Sequence, residues 1–331
     1  MTDTLLSVSD LKVHFPLQRA WLGGERLAVR AIDGVSFDLR AGETLGIVGE
    51  SGCGKSTLGR AILRLIDSTD GQVVWMGQDL FALGDKALRA ERRHMQIIFQ
   101  DPLASLDPRL SVEAIIAKPL RTFHPEMSRN DVRKRVFEVM EQVGLSPAMA
   151  NRYPHEFSGG QCQRIGIARA IILRPKLIVC DEPVSALDVS IQAQIVNLLM
   201  ELQQSLGLSL LFISHNLAVV RHISHRVMVL YLGKVMEIAD RDDFYARPLH
   251  PYSQALISAV PIPDPRLERA RERILLQADL PSPINPPSGC RFRTRCPLAS
   301  DICATAEPAL RAFGAGHLAA CHLIEDEPVE S

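Results

Sequence analysis

The fold of this chain is decided by the stretch Gly49-Glu50-Ser51-Gly52-Cys53-Gly54-Lys55-Ser56-Thr57. It fits the phosphate-loop pattern G-x-x-x-x-G-K-[ST]. The apolar segment Thr44–Val48 before it reads as a buried strand, and the proline-free segment Leu58–Leu65 after it reads as a helix. A strand, a glycine-rich loop and a helix in this order are typical of a site that binds phosphate groups.

The residue types of this loop suit phosphate chemistry. Glycines let the backbone curl so that successive N–H groups point at an anion, and the N-terminus of the following helix adds its positive dipole. We expect Lys55 to reach the β- and γ-phosphates of a nucleotide and the Ser56 hydroxyl to ligate Mg²⁺. The alternative is a glycine-rich turn that binds nothing.

Length and composition limit the remaining possibilities. The 331 residues, of which 47% are hydrophobic, can form one large or two medium domains with packed cores. The net charge of -1 gives no overall field that would attract nucleic acid or anionic lipid, so nucleic acid is not expected as a partner. No apolar run approaches the length of about 20 residues that spans a bilayer, and Met1–Thr4 does not resemble a signal peptide. We therefore expect a cytosolic protein.

An aromatic residue ends the first predicted strand. Segments 5–15 and 29–39 alternate apolar and polar residues and predict an antiparallel layer, joined by a glycine-containing loop over Pro16–Leu27. Phe15 ends the first strand, where its ring could stack on a nucleotide base. An ordinary core aromatic fits the local sequence equally well.

The middle of the chain changes character after Gln100. Segments 71–77 and 95–99 read as further strands, and Gln100 follows the second one, where its amide could reach Mg²⁺ or the attacking water. A solvated amide at a strand end is the other interpretation. Helical patterns and proline-marked turns over residues 101–157 predict an inserted helical subdomain, with its clearest helix capped by Ser128.

A second glycine-rich element, Phe157-Ser158-Gly159-Gly160-Gln161, precedes a helix expected over Gln163–Leu173. Ser158 is a natural N-cap, and Gly159 and Gly160 allow backbone N–H groups to approach an anion. By itself this pattern also fits a common turn.

An apolar strand over Lys176–Cys180 then ends in two carboxylates, Asp181 and Glu182. At the carboxyl end of a strand, Asp181 is placed to hold Mg²⁺ through its hydration shell. Glu182 is placed to polarise a water molecule for attack on the γ-phosphate.

Two polar positions follow the carboxylates. Asp188 leads into a helix that we expect to be capped at Ser190 and ended by Gly207. The strand over residues 208–213 delivers His215, which could bond the γ-phosphate, although a single histidine is more often structural.

Taken together, these motifs resemble in type and order those of an ABC-transporter ATPase subunit. The residues that carry the resemblance are Gly49–Thr57, Gln100, Phe157–Gln161, Ile178–Glu182, Ser185–Asp188 and His215. With His250-Pro251-Tyr252 and a cysteine-rich tail, the chain is similar to the dipeptide/oligopeptide (peptide/nickel) importer branch. The long loop after Phe15 and the Ser56-Thr57 pair are most similar to its F-type subunit.

The resemblance implies an α/β fold and a set of nucleotide ligands. The fold is a P-loop NTPase cassette over residues 1–240, with a RecA-like core, an antiparallel β layer and the helical subdomain at about 101–157, followed by a small cysteine-rich domain over 241–331. ATP and Mg²⁺ are the implied cofactors, and the implied reaction is ATP hydrolysis that powers import of di- or oligopeptides. Phe15 falls at the adenine-stacking position, while Ser158–Gln161 would close over the ATP of a partner ATPase. The implied ATP ligands are Phe15, Gly49, Ser51, Gly52, Cys53, Gly54, Lys55, Ser56, Thr57, Gln100, Ser158, Gly159, Gly160, Gln161, Asp181 and Asp188.

The same resemblance implies an assembly at the membrane. The partners would be a sibling D-type ATPase subunit, two transmembrane permease subunits and, indirectly, a solute-binding protein, with this chain peripheral on the cytoplasmic face. A helix of the permease would dock near Gln100–Pro119. Cys162 departs from the family, which often carries a basic residue there.

Four of the seven cysteines are crowded near the C-terminus, at Cys290, Cys296, Cys303 and Cys321. Their spacing is wider than that of usual zinc sites, whereas four thiolates can bind a [4Fe–4S] cluster, whose charge nearby arginines would offset. Free buried cysteines are the alternative. Resemblance to the importer tail favours the cluster.

Other functional classes share only part of these features. A P-loop kinase has no use for Ser158–Gln161 or His215, and a non-hydrolysing binding module would be expected to lack Glu182 or His215. A soluble ABC-type ATPase acting on nucleic acid or ribosomes would normally carry a second cassette or a long coiled-coil insertion. A soluble ABC-type ATPase not coupled to transport remains the main alternative.

Overall fold

The computed structural model describes residues 4–17, 27–261, 264, 266, 269, 273–276, 279–314 and 316–324. Most of the loop predicted over Pro16–Leu27 lies outside the described residues. The chain divides into two compact units assembled from separate segments. The first unit contains Leu39–Thr44 and Asp79–Ser214, and the second contains Leu6–Asp38, Leu45–Gln78 and the chain from His215 onward. The predicted boundary at residue 240 stays a prediction.

Helices and strands alternate along the described chain, as expected for an α/β fold. The strands are β1 (Thr4–Pro16), β2 (Ala28–Arg40), β3 (Thr44–Val48), β4 (Asp70–Trp75), β5 (Gln78–Asp79), β6 (Met95–Ile98), β7 (Leu177–Asp181), β8 (Ser209–Ile213), β9 (Arg226–Tyr231), β10 (Lys234–Asp240), β11 (Arg311–Ala312) and β12 (Leu318–Ala319). The helices are α1 (Lys55–Ile62), α2 (Asp85–Glu91), α3 (Val112–Phe123), α4 (Arg129–Gln142), α5 (Gly159–Ile171), α6 (Val189–Leu206), α7 (Leu217–Ile223), α8 (Arg241–Ala246), α9 (Pro251–Ser258) and α10 (Asp301–Thr305).

The first unit contains a parallel arrangement of β6, β7 and β8. Met95 pairs with Leu177 across β6 and β7, and Asp181 pairs with Ile213 across β7 and β8. Every residue of β7 and β8 is buried, which matches their nearly uninterrupted apolar sequences. Because parallel strands end at the same edge, the residues that follow β6 and β7 are brought close together.

The helical part of the first unit is built from α3, α4 and α5, which pack against one another. Ser128 caps α4 as predicted, accepting a hydrogen bond from the Asp131 N–H at 3.2 Å. Helix α5 begins at Gly159, four residues before the predicted start, because Ser158 caps it directly. The prediction placed this helix start too late.

In the second unit, β3 lies parallel to β9, and β10 pairs antiparallel with both β9 and β12. A separate sheet has the order β2-β1-β4-β5, in which β1 and β4 are antiparallel, as the alternating pattern predicted for the first strand. All five residues of β3 are buried. Helix α1 follows the glycine-rich loop and begins at Lys55, so the start predicted at Leu58 was wrong.

Within the described part of the chain, no helix combines the length and the apolar content needed to cross a membrane.

Candidate nucleotide site

The loop between β3 and α1 has a backbone that only glycine can form. The φ angles of Gly49, Gly52 and Gly54 are 152°, 80° and 109°. A Cβ atom on Gly49 would lie 2.2 Å from the carbonyl oxygen of Leu230, and one on Gly54 would lie 2.3 Å from that of Ala31. The loop is therefore closely packed against neighbouring backbone, with its conformation fixed by these glycines.

Lys55 is enclosed by the same loop. Its side chain starts α1, and its Nζ atom donates hydrogen bonds to the carbonyl oxygens of Gly49 at 2.8 Å and Glu50 at 3.0 Å. Lys55 is only 5% exposed, whereas Ser51 and Gly52 form an exposed rim. The loop thus places one cation beneath a set of backbone groups, which is the arrangement needed to hold phosphate.

The other polar side chains of the loop have different surroundings. Burial raises the pKa of the Cys53 thiol above its ordinary value, so this thiol stays protonated. Cys53 is 1% exposed, so its side chain packs inside the loop. Ser56 and Thr57 lie half-buried in the first turn of α1, where the Ser56 hydroxyl is predicted to meet Mg²⁺.

Phe15 lies at the end of β1 and is 42% exposed. This exposure rules out the interpretation of Phe15 as a core aromatic. Its neighbour His14 makes a 2.8 Å hydrogen bond between Nε2 and Oδ1 of Asp33. The end of β1 therefore presents an aromatic face to solvent from a fixed strand.

The two carboxylates at the end of β7 occupy contrasting environments in the first unit. Asp181 is the last residue of β7 and is only 1% exposed. Glu182 follows it with a left-handed backbone, φ 48°, and its N–H donates to the carbonyl oxygen of Ile213 at 3.1 Å. Strained backbone of this kind costs about 1–3 kcal/mol and is common at functional sites. Here it turns Glu182 away from the direction of β7.

The structure brings Gln100 and Glu182 into contact. The Nε2 atom of Gln100 donates to Oε2 of Glu182 at 3.0 Å, across 82 positions of sequence. The interpretation of Gln100 as a merely solvated amide is therefore wrong. An amide donor fixes the orientation of the carboxylate that is predicted to polarise the attacking water.

The second glycine-rich element forms a complete capping box. Ser158 N–H donates to Oε1 of Gln161 at 3.0 Å, and the Ser158 side chain accepts from the Gln161 N–H at 3.4 Å. A Cβ atom on Gly160 would lie 2.6 Å from Cγ2 of Ile191 in α6, so glycine is required for this packing. The element presents an exposed serine hydroxyl at a helix N-terminus, as the sequence predicted.

Cys162 lies inside this part of the fold. It is 1% exposed, its Sγ atom lies 3.5 Å from the carbonyl oxygen of Pro154, and burial raises its pKa. A basic residue at this position would need a different local packing. The cysteine that stands where the family often carries a basic residue is therefore buried in the interior of this chain.

The segment after Glu182 leads into α6. The Ser185 hydroxyl donates to the Glu182 carbonyl oxygen at 3.1 Å, which holds the turn beside the carboxylate. Exposed Asp188 occupies the N-cap position, so the cap predicted at Ser190 was wrong, while Gly207 ends α6 with φ 63° as expected. His215 lies after β8 and is exposed, directly before Asn216, the cap of α7.

The four cysteines near the C-terminus lie close to one another. Burial raises the pKa of Cys290 to about 11, with further contributions from Cys303, Cys321 and Cys296, and the pKa values of Cys296 and Cys321 are raised in the same way. Neighbouring thiols of the group contribute to each of these raised pKa values, and all four cysteines are free thiols. Among the residues that the structure describes, no group of three or more His, Cys, Asp or Glu is arranged to hold a metal ion.

The arginines between Cys290 and Cys296 form hydrogen bonds and ion pairs with other residues, whereas the sequence suggested that they offset the charge of the thiolates. Arg293 donates to the carbonyl oxygen of Ser288, Arg291 pairs with Asp33, and Arg295 pairs with Glu50 of the phosphate loop. Sequence reasoning missed these long-range contacts. The expectation that these arginines offset the charge of a cluster is therefore not supported.

The fold and the phosphate loop define a P-loop ATPase cassette, and comparisons with known proteins agree. The ABC transporter family model matches residues 32–185, and the model for the C-terminal region of oligopeptide/dipeptide transporters matches residues 236–303. A dimeric post-hydrolysis structure of the ATP-binding cassette MJ0796 bound to ADP and Pi has a TM-score of 0.64 and 29% identity. It covers 71% of this chain and 98% of that one.

Sequence relatives narrow the assignment. The oligopeptide transport ATP-binding protein OppF of Salmonella typhimurium is 61% identical over 308 residues, which is 92% of each chain. The putative oligopeptide transport ATP-binding protein YkfD of Bacillus subtilis is 55% identical over 96% of this chain and 95% of its own length. The chain therefore belongs to the ABC transporter family, as an ATP-binding subunit of the oligopeptide transport type.

Replacing Gly49 with alanine tests the geometry of the loop. The new Cβ would lie 2.2 Å from the Leu230 carbonyl oxygen, so the loop must shift, and we expect ATP binding to weaken by at least about tenfold with a lower melting temperature. Gly166→Ala is the matched control, because a Cβ there has open space within α5. Binding titrations and thermal melts measure both effects, and equal behaviour of the two variants would contradict the assignment.

Proposed function

We propose that this chain binds ATP with Mg²⁺ and hydrolyses it to power import of oligopeptides across the cytoplasmic membrane. The observation that carries the proposal is the hydrogen bond from Gln100 to Glu182 at the end of β7. A phosphate loop alone would serve a kinase or a binding module equally well. A carboxylate oriented by an amide beside a buried aspartate is suited to activating water.

Each part of the site has its own role in this proposal. Lys55 and the N–H groups of the phosphate loop hold the β- and γ-phosphates, and the Ser56 hydroxyl, Gln100 and Asp181 hold Mg²⁺, directly or through water. Glu182 accepts the proton of the attacking water. The bound Mg²⁺ would neutralise charge that develops on the phosphate oxygens. The enclosure of the Lys55 ammonium by the loop and the place of Asp181 at the carboxyl end of β7 support these roles.

Further residues complete the nucleotide site. Exposed Phe15 stacks on the adenine, and His215 bonds the γ-phosphate. The element Ser158–Gln161 contacts the ATP held by a partner ATPase, so that two nucleotides lie between two cassettes, and Asp188 is a further nucleotide ligand. The exposure of Ser158 and Gly159 at the N-terminus of α5 supports this role. The cassette MJ0796, to which this chain is similar, is also described as dimeric.

The proposed assembly contains a sibling D-type ATPase, two transmembrane permease subunits and, indirectly, a solute-binding protein. The chain would lie on the cytoplasmic face of the membrane, with the segment Gln100–Pro119 receiving a permease helix. Leu103 in this segment is 54% exposed, which suits an apolar docking contact. ATP binding would draw the two cassettes together and hydrolysis would release them, thereby moving the permease.

We also propose that Cys290, Cys296, Cys303 and Cys321 hold a [4Fe–4S] cluster. Four free thiols, three of which have a pKa raised by neighbouring thiols of the group, are the kind of donor set that such a cluster uses. A cluster of four irons separates its thiolates more widely than a single ion does, so the absence of a single-ion arrangement among the described residues does not argue against it. When bound, the cluster would cross-link a loop-rich segment that has little core of its own.

Glu182→Gln tests the catalytic assignment. The amide keeps the size of the side chain and can still accept from Gln100, but it cannot take a proton from water, so we expect at least about a hundredfold loss of ATP turnover with ATP affinity retained. Glu201→Gln in α6 is the control, because it removes an exposed carboxylate of the same unit. A hydrolysis rate in the assembled transporter that is unchanged by Glu182→Gln would refute the proposed role.

Iron analysis tests the cluster. Protein purified under strict anaerobiosis should be brown and contain iron and acid-labile sulfide, and Cys303→Ser should lose most of both. Cys162→Ser is the control, because this buried cysteine lies outside the group of four. A colourless, iron-free preparation of the unaltered chain would contradict the proposal.

A further inference from the structure

Glu50, the second residue of the phosphate loop, is held from three directions. Its N–H donates to the hydroxyl of Tyr252 at 3.0 Å, and its carbonyl oxygen accepts from Lys55 at 3.0 Å. Both of its carboxylate oxygens accept from Nη1 of Arg295 at 2.9 Å. The phosphate loop is thereby bonded to side chains that lie 202 and 245 positions later in the chain.

These two later side chains are rigidly placed. Tyr252 packs against Tyr231 and Phe292 with ring centroids 4.8 and 5.2 Å away, and all three rings are fully buried. The guanidinium of Arg295 lies 6.0 Å from the Tyr231 ring, and its side chain is only 9% exposed. Aromatic contacts of this kind add stability beyond the burial of their surface. Glu50 is therefore bonded to groups that cannot easily move.

Little solvent reaches the ion pair between Arg295 and Glu50. The side chain of Arg295 is 9% exposed and that of Glu50 is 29% exposed, so neither charge is fully hydrated. Burial raises the pKa of Tyr252, so its hydroxyl remains neutral and can accept from the Glu50 N–H.

The turn that contains Arg295 is also linked, through Asp33 of β2, to the strand that carries Phe15. Arg291 forms an ion pair with Asp33 and donates to the Leu232 carbonyl oxygen at 2.8 Å, and Asp33 is bonded to His14 beside Phe15. Burial would raise the pKa of Asp33, but Arg291 and His14 lower it, so the carboxylate stays charged. One C-terminal turn thus contacts the phosphate loop directly, and it is linked to the end of β1 only through Asp33 of β2.

The geometry points to Arg295 and Tyr252 as positioning residues of the ATP site, which hold the phosphate loop in the conformation that binds phosphate. This inference rests on the proposed function of the loop. Removal of one partner from a largely buried charge pair leaves the other uncompensated, and the loop then relaxes. ATP must re-form the loop at the expense of binding free energy, so affinity falls while the chemical step, once ATP is bound, is unaffected.

The test uses the full-length chain, with titrations of Mg²⁺ and ATP and steady-state kinetics in the assembled transporter. Arg295→Gln should raise Kd and KM for ATP by about tenfold with kcat at saturating ATP nearly unchanged. Arg295→Lys should restore part of the affinity because it keeps the charge. Tyr252→Phe, which keeps the ring and removes only the hydroxyl, should raise Kd by about threefold.

Glu307→Gln is the matched control. It removes a C-terminal ion pair with Lys234 at 2.6 Å that does not touch the phosphate loop, so ATP affinity should equal that of the wild type. In a double-mutant cycle, Glu50→Gln should add little to Arg295→Gln.

The outcomes of these experiments distinguish failure of the inference from failure of the proposed function. A folded Arg295→Gln variant with unchanged ATP affinity would overturn the inference, as would an equal loss in Glu307→Gln. If Arg295→Gln does not fold, Tyr252→Phe decides, and unchanged affinity in that variant overturns the inference. A wild-type chain that does not bind ATP would instead refute the proposed function.

Discussion

The structure depends on one constraint, which is the curled backbone between β3 and α1. Three glycines, Gly49, Gly52 and Gly54, have positive φ, and two of them lie too close to neighbouring carbonyl groups for any side chain. This curl encloses the Lys55 ammonium and starts α1 at Lys55. Burial of β3 anchors one end of the loop, while packing of α1 anchors the other.

The first unit supplies the groups suited to hydrolysis at one edge of its parallel strands. Parallel pairing of β6, β7 and β8 ends at an edge where Asp181 is buried and Glu182 turns out with a left-handed backbone. Gln100 then donates to the Glu182 carboxylate. Strain at Glu182 is offset by the packing of two fully buried strands, so the orientation of one carboxylate is set by the sheet.

The sequence predicted the elements whose causes are local. The burial of β3 and β7, the caps of α4 and α5 at Ser128 and Ser158, and the glycine end of α6 were all visible in short patterns. Helix starts were less accurate. For α1, the predicted start came three residues late because the last loop residue already satisfies helical bonding, with the Leu58 N–H donating to the Gly54 carbonyl oxygen.

The contacts that the sequence did not predict join distant segments. The sequence around Glu50 does not indicate that its partners are Tyr252 and Arg295. Hydrogen bonds across 202 and 245 positions produce no repeating residue pattern that a sequence analysis could detect. From its position next to Cys296 in the sequence, Arg295 was expected to offset the negative charge of a cysteine-bound cluster. The partner of a charged residue depends on tertiary packing, which composition and spacing do not specify.

The most direct test of the account is calorimetric titration of the full-length chain and its Lys55→Met variant with ATP and Mg²⁺. The methionine keeps an unbranched apolar side chain, one atom shorter than lysine, and removes the cation that the loop encloses. We expect one ATP per wild-type chain and affinity at least about a hundredfold lower in the variant, which is about 2.7 kcal/mol. Equal affinity in the two proteins would contradict the claim that this loop is an ATP cradle.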